Sequence, residues 1–466
     1  MTPALRRLAG PAARFRLLAF LAGLALVGSA LLTAGRLGEA SVPAGSRAQA
    51  PADEAPPAGN VVRQGFPAAA ADPNNLAQSD TAWEVEWDLT HPENRPLSPP
   101  GSVLRIRSAK FMWKDRAGKP QWVTVARMLE LAEIYVPYDN GWTAFLDVHH
   151  HPFFTTPARK EHLGPSCVLP GEILRSANPA FSEKVHKEVH DDGIRWMSAE
   201  TDSRYQIADR VRRGEKLILW ATYFGANYRY VVEYVFTDDG RINPRLGFTG
   251  RNFFPRQPDQ KDTHLHVGCW RMDFDLGGPK DNDVLLVRRV FDEAAERFQQ
   301  LARPFGRNSL GQACEGSARW VASEFTTVRV QSRSRKNAHG RPLAYDVIPY
   351  RQGTLGQLPA SGGAGASHMD FVNQDFWVTR AEPRFTAYVE VPQYASGKRS
   401  LEGHPVTVWH SAPALHFPRG EDFGPENGTV NYTGLALTAW AEFFVKPRDL
   451  FDSTPLYQPT RRSGRE

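Results

Sequence analysis

The feature that most limits how this chain can fold is a long antiparallel pattern near its middle. Leu217 to Phe236 is rich in β-branched and aromatic residues, Thr237-Asp238-Asp239-Gly240 is a turn sequence, and Arg241 to Thr249 runs back. Such residues suit the half-buried pleated surface of a sheet, and an Asp-Gly step supplies the reversal. Period-two alternation marks Trp83-Glu84-Val85-Glu86-Trp87. Val103 to Trp113 and Trp122 to Ile134, joined through Asp115-Arg116-Ala117-Gly118, read as further strands, and another runs through His264 to Phe274. Val406 to Trp409 and Leu435 to Lys446 close the pattern. Asp292 to Leu301 reads as one short amphipathic helix. Gly353 to Ser367 is a Gly-rich low-complexity loop. Many strands and few helices predict an all-β fold, a large antiparallel β-sandwich with few short helices.

The folded body spans 79–466 on this reading. Before it, residues 1–35 carry basic residues up to Arg16 and then the apolar run Leu17 to Ala34, the pattern of a signal peptide or an N-terminal membrane anchor. Residues 36–78 are rich in Ala, Pro, Gly and Ser and read as a disordered linker. The formal net charge is +5, but the first 50 residues hold six arginines against one acid, Glu39, and so account for all of it. A near-neutral body gives no electrostatic support for binding nucleic acid. The predicted location is outside the cytoplasm, periplasmic or extracellular, or tethered to a membrane through the N-terminal segment alone. The three cysteines, Cys167, Cys269 and Cys314, leave at least one unpaired, and none forms a Cys-x-x-Cys pair.

Two clusters carry candidate chemistry. In His264-Leu265-His266 the two histidines lie two apart on a strand, so both imidazoles project from one face and can reach one ion. The spacing describes two hydrogen-bonded histidines on a solvated face equally well. A third ligand must come from elsewhere, and the run His149-His150-His151 and the isolated His404, His410 and His416 all supply candidates. The second cluster is Asn227-Tyr228-Arg229-Tyr230, where two tyrosines share a strand face, as ordinary core aromatics also do.

Taken in order, these segments resemble the copper amine oxidases. Phe224 to Tyr230, followed by a strand, the Asp239-Gly240 turn and Gly247-Phe248-Thr249-Gly250, is similar to the family's quinone-precursor region. The resemblance makes Tyr228 the precursor of topaquinone. It also makes His264, His266 and His416 the ligands of Cu(II), His416 lying in Leu415-His416-Phe417-Pro418-Arg419-Gly420-Glu421-Asp422. Asn373 to Arg380 and Phe443-Phe444-Val445-Lys446-Pro447 add further matches. Ile134-Tyr135-Val136-Pro137-Tyr138 implies that Tyr138 hydrogen-bonds the quinone. Ala144-Phe145-Leu146-Asp147 implies a gate at Phe145 and a catalytic base at Asp147. Asp273, Phe274 and Asp275 match the first ligands of the family's peripheral Ca2+ site. The activity implied is oxidation of a small primary amine by O2 to aldehyde, ammonia and hydrogen peroxide, by a homodimer.

The chain departs from the family pattern at several points. Arg229 stands where an acid follows the precursor tyrosine, and Val148-His149-His150 replaces the family's residues after the base. Pro405 sits where another calcium ligand is expected. Cys167 lines up with one half of the family's disulfide, but the segment near His190-Asp191-Asp192-Gly193 lacks the other. Two further readings follow. One is a catalytically altered or inactive copper-binding or interaction protein on the same scaffold, which Arg229 and the altered stretch after Asp147 favour. The other is a metal-free carbohydrate- or surface-binding sandwich, which requires that no third histidine approach His264 and His266.

Overall fold

The structure, a computed structural model, describes residues 60–89, 103–138, 145–146, 148, 155–165, 167–179, 181–198, 210–225, 228–251, 263–350, 371–381, 391–416, 434–435 and 440–452. The strands, in chain order, begin with β1 (Val61–Phe66), β2 (Thr81–Asp88), β3 (Arg105–Lys114), β4 (Pro120–Val136) and β5 (Phe145–Leu146). Next come β6 (Cys167–Ile173), β7 (His186–Ser198), β8 (Arg210–Gly225), β9 (Tyr228–Thr237) and β10 (Ile242–Arg251). β11 (His264–Phe274), β12 (Asn282–Asp292), β13 (Arg297–Pro304), β14 (Gly316–Ala318) and β15 (Thr327–Lys336) follow. The last are β16 (Pro342–Tyr350), β17 (Phe376–Arg380), β18 (Val406–His416), β19 (Gly434–Leu435) and β20 (Trp440–Arg448). The one α-helix among the described residues, α1, is Val391–Ser396.

These strands form two sheets. The nine-stranded sheet runs β1-β2-β3-β4-β11-β18-β17-β14, with β5 on β4. The eleven-stranded sheet runs β13-β12-β15-β16-β20-β10-β9-β8-β7-β6, with β19 on β10. Every pairing is antiparallel, for example β11 with β18 and β9 with β10. The all-β antiparallel expectation therefore holds.

Alternation decides which residues join the sheets face to face. In β2, Trp83, Val85 and Trp87 enter the main core while Glu84 and Glu86 stay half-exposed. Fully burying one such large side chain contributes roughly 1.5–3 kcal/mol. Trp83 lies 5.1 Å from Phe236 of the other sheet, and its Nε1–H donates to the Thr237 carbonyl at 2.8 Å. Tyr234 Oη donates to the Leu104 carbonyl at 3.0 Å, a second polar tie across the core. Trp83 and Tyr234 thus bring apolar area and keep their donors satisfied.

Three expectations change. The arm read as Leu217 to Phe236 is two strands, β8 and β9, paired from Lys216↔Thr237 to Gly225↔Tyr228. The reversal brings the Tyr230 ring against Gly225, where a Cβ would lie 2.5 Å from Tyr230 Cε2. Asp292 to Leu301 is not a helix. Glu296 adopts φ 48°, the Asp292 carboxylate takes the N–H groups of Ala294 and Ala295, and β12 and β13 pair with Phe291 opposite Phe298. Helix-forming composition lost here to strand pairing, because an isolated helix that short is marginal. Finally, β1 lies inside the stretch read as a linker. Val62, Gln64 and Phe66 are buried, and the strand pairs with β2 from Val61↔Glu86 to Phe66↔Thr81.

No helix among the described residues is long and apolar enough to cross a membrane. The N-terminal segment expected to target or anchor the chain lies outside the described residues, as does Gly353 to Ser367. Cys269 and Cys314 are both buried and free. Cys167 pairs in register with His190, so no cysteine stands opposite it.

Candidate metal centre

β11 and β18 are neighbours in the nine-stranded sheet, and their register sets His264 directly opposite His416. His264 and His266 share a face by the period of two. Three imidazoles from two segments of distant sequence therefore converge on the inner face of this sheet. Their exposures are 0%, 0% and 3%, and one ligand atom from each lies within 4.8 Å of the others. His416 Nδ1 is 3.1 Å from His264 Nε2. Two nitrogens held about 2.0 Å from a single ion are about 2.8–3.3 Å apart, so this pair has the spacing of one edge of a coordination polyhedron.

The other sheet supplies the phenols. Tyr228 opens β9 and is 2% exposed. Its Oη lies 2.8 Å from His264 Nε2 and 3.4 Å from His416 Nδ1. Two residues on, Tyr230 Oη lies 3.3 Å from His266 Nδ1. Phe248, opposite Tyr230 on β10, stacks on the His266 ring at 3.9 Å. Tyr138 forms a backbone bridge to His264 and stacks on its ring at 4.4 Å. The structure thus brings Tyr138, Tyr228, His264, His266 and His416 into one buried cluster.

The donor set fits a soft-to-borderline metal ion. Burial, and then the neighbouring His264 and His416, hold the His266 imidazolium well below the usual histidine range, so this ring is neutral and offers a lone pair. Its Nε2 is buried and has no hydrogen-bond partner among the described residues. A buried polar atom left so is costly unless something outside the chain meets it. Imidazole nitrogen suits copper, which binds most tightly of the divalent first-row series.

Arg229 takes no part in this cluster. Strand alternation turns it to the opposite face from Tyr228 and Tyr230, where its guanidinium lies 3.9 Å over the ring of Phe224, its partner across β8. Sequence order alone put a cation beside the phenol, whereas the pleat separates them.

The residues matched to the calcium site are already partly engaged, although Asp275 Oδ1 is buried with no hydrogen-bond partner among the described residues. Asp273 accepts from Arg271 Nε at 3.0 Å and Nη2 at 2.7 Å, and from Thr407 Oγ1 at 2.7 Å, so a cation already neutralises it. The Phe274 carbonyl meets Asn282 Nδ2 at 3.4 Å, and burial raises the pKa of Asp275. Asp147 and the run His149-His150-His151 lie outside the described residues. Phe145 is described only as backbone, paired with Val136 in β5.

Sequence reasoning gave Phe248 no role. Its signal was available in the hairpin register, which sets residue 248 opposite Tyr230 and so beside whatever Tyr230 touches.

Comparison with known proteins agrees with this arrangement. The family model for copper amine oxidase, enzyme domain, matches residues 185–463. A primary amine oxidase of Klebsiella aerogenes is 25% identical over 336 residues, covering 63% of this chain and 40% of that protein. A histamine oxidase of Arthrobacter globiformis is 26% identical over 385 residues, covering 73% of this chain and 53% of that protein. The chain thus spans about half the length of the curated relatives it matches. Among solved structures, a copper-containing benzylamine oxidase from Hansenula polymorpha aligns with TM-score 0.57 at 17% identity, over 81% of this chain and 61% of that one. An Aspergillus nidulans amine oxidase aligns with TM-score 0.57 at 17% identity, over 91% and 57%. At that identity the likeness shows the shared fold.

Proposed function

Because the chain belongs to the copper amine oxidase family, we propose that it is the enzyme domain of a copper- and quinone-dependent primary-amine oxidase. His264, His266 and His416 hold the copper, and Tyr228 is the ring converted to topaquinone. The observation that carries this reading is a phenol oxygen 2.8 Å from a ring nitrogen inside a closed triad of buried imidazoles. Copper and the quinone together supply the acceptance of two electrons from the amine, which hydrolysis releases as aldehyde and ammonia, and their delivery to dioxygen as hydrogen peroxide.

The remaining work falls to the chain's own groups. The two sheets exclude water from the Tyr228 ring, which is 2% exposed. Tyr138, whose ring stacks on His264 at 4.4 Å, is assigned the hydrogen bond to the quinone. Tyr230 fixes His266 from behind through Nδ1. Asp147 is assigned removal of the substrate's α-proton, and Phe145 the gate. A general base must lie within hydrogen-bond reach of the proton it takes, which makes the placement of residue 147 decisive for rate. The N-terminal segment exports the enzyme or tethers it to a membrane, and the working unit is a homodimer.

The reading of a copper-binding scaffold without turnover drew on Arg229 and on the altered stretch after Asp147. The guanidinium stacks on Phe224, on the opposite strand face from Tyr228, which weakens the first support; Asp147, His149 and His150 lie outside the described residues.

The test is copper reconstitution of the purified chain, titration with phenylhydrazine and mass spectrometry of the peptide bearing residue 228. A stoichiometric adduct with a modified Tyr228 peptide is expected. Stoichiometric copper with an unmodified Tyr228 and no peroxide from any primary amine refutes the oxidase.

A further inference from the structure

We propose that Phe248 is a positioning residue of the candidate metal centre: its ring holds the His266 imidazole in plane, so that Nε2 stays available as the ligand atom. This rests on the copper reading made above. Phe248 is 2% exposed and reaches His266 from the facing sheet.

The pleat of β10 brings it there. Ile242, Leu246 and Phe248 enter the main core, while Arg245 lies on the other face, paired with Glu233 and Glu442. The β9–β10 register sets Phe248 beside Tyr230, two residues along from Tyr228. This pair of strands therefore presents three rings to His266, which comes from β11.

The three rings act differently. Phe248 lies face to face with the imidazole, centroids 3.9 Å apart and planes 21° apart. Tyr228 meets it edge-on, at 4.8 Å and 86°. Tyr230 is inclined at 70°, with Oη 3.3 Å from Nδ1. A hydrogen bond at one nitrogen sets a direction within the ring plane but leaves the plane free to rock about it. The histidine χ2 torsion does not supply the missing restraint, because its well is broad and roughly two-fold. A half-turn about χ2 would put Cε1 where Nε2 stands and Cδ2 where Nδ1 stands. Tyr228 is not a fixed wall either, since it is the ring assigned to be converted. The flat face of Phe248 holds the plane, and an aliphatic side chain of similar volume would fill the space without doing so. With the plane held and Nδ1 engaged, the nitrogen left over is Nε2, which is buried without a hydrogen-bond partner among the described residues. Phe248 also lies 6.4 Å from the His416 ring, so one side chain walls two of the three imidazoles. Contacts behind a ligand tune a metal site through its orientation and its apolar shell.

The experiment uses the full chain, first without metal. Histidine is labelled with 13C at ring Cε1, and the His266 signal is identified among the 14 by its loss in His266→Gln. A nucleus over a phenyl face is shifted upfield by the ring current. At a pH where the imidazole is neutral, the His266 signal is expected upfield in the wild type. It should move downfield in Phe248→Leu and Phe248→Met, which keep bulk and remove the flat face. His264, stacked on Tyr138 instead, should move less. A His266 signal at one position in the wild type and both variants overturns the proposal. If neither variant folds, the wild type decides, and a His266 signal where the histidines of the urea-unfolded chain fall overturns it.

Copper gives the second readout. By competition with a chelator, F248L and F248M should bind Cu(II) about tenfold or more weakly than the wild type. The electron paramagnetic resonance of the bound ion should change its hyperfine splitting. A purely packing role lowers Tm and leaves affinity and splitting, measured well below Tm, at wild-type values, and that outcome overturns the proposal. A wild type that binds no copper refutes the copper reading instead, and the metal-free signal still decides whether Phe248 holds the ring.

Discussion

The hydroxyl of Tyr230 lies 3.3 Å from Nδ1 of His266, and that contact leaves Nε2 as the ring nitrogen without a partner among the described residues. A histidine whose one nitrogen is engaged from behind is fixed in tautomer and orientation, and presents the other to a metal. Tyr230 therefore supports the candidate metal centre although it supplies no ligand atom.

Replacing Tyr230 by Phe should weaken copper binding by roughly 10- to 100-fold, the usual cost of removing such a supporting partner. The ring and its place beside Gly225 are kept, so the fold should survive with a loss of about 1–3 kcal/mol from the unsatisfied nitrogen. A copper titration monitored by competition with a chelator checks this, and an unchanged affinity removes Tyr230 from the centre.

Tyr228→Phe separates holding the metal from making the cofactor. The variant keeps all three imidazoles and should bind copper with wild-type stoichiometry, yet give no quinone absorbance and no phenylhydrazine adduct. His416→Ala should instead lose the metal and leave Tyr228 unmodified, since the 3.1 Å pair with His264 is broken. Elemental analysis alongside visible spectra of both variants distinguishes the cases. A quinone signal from Tyr228→Phe would place the cofactor on another residue.

How much of this was legible in the sequence depends on the range of the interaction. β11 was readable to its ends as a strand, and the β3–β4 hairpin was readable through Asp115, whose carboxylate takes the N–H groups of Ala117 and Lys119. His416 was not readable from local pattern. Its role follows from pairing with a strand 152 residues away, and only resemblance to a family pointed to it. The segment 292–301 misled because Asp-Glu-Ala-Ala-Glu-Arg has helical composition, while its fate was settled by the pairing of β12 with β13. Arg229 misled for a related reason: adjacency in sequence is opposition across a pleat.

That opposition makes a prediction. Arg229→Ala should leave kcat and copper content within about twofold of wild type, because the guanidinium contacts Phe224 on the far face of the sheet. The cost should be confined to stability, about 0.5–1 kcal/mol for an exposed cation–π contact. Steady-state kinetics and a thermal melt suffice, and a tenfold change in kcat would mean the charge is felt at the Tyr228 ring after all.

A pH dependence of folding arises at the β9–β10 turn. Asp238 is 7% exposed, and Oδ1 has no hydrogen-bond partner among the described residues. Burial, reinforced by Asp239 and only partly offset by a backbone hydrogen bond from Glu215 and by Arg195 and Arg212, raises its pKa from 3.8 to about 7. The sign follows from proton counting. Between pH 4 and 7 the folded chain holds a proton at this carboxyl that the unfolded chain has released. The contribution is therefore fully present below about pH 4, is lost as pH rises through about 7, and is flat beyond. A shift of three units sets an upper limit of about 4 kcal/mol, and local relaxation should reduce the observed effect to roughly 1–3 kcal/mol. Asp238→Asn, neutral at every pH, should match the wild type near pH 4 and exceed it at pH 8. Urea unfolding midpoints at the two pH values measure the difference, and an equal displacement at both would show that Asp238 ionises normally in the folded protein.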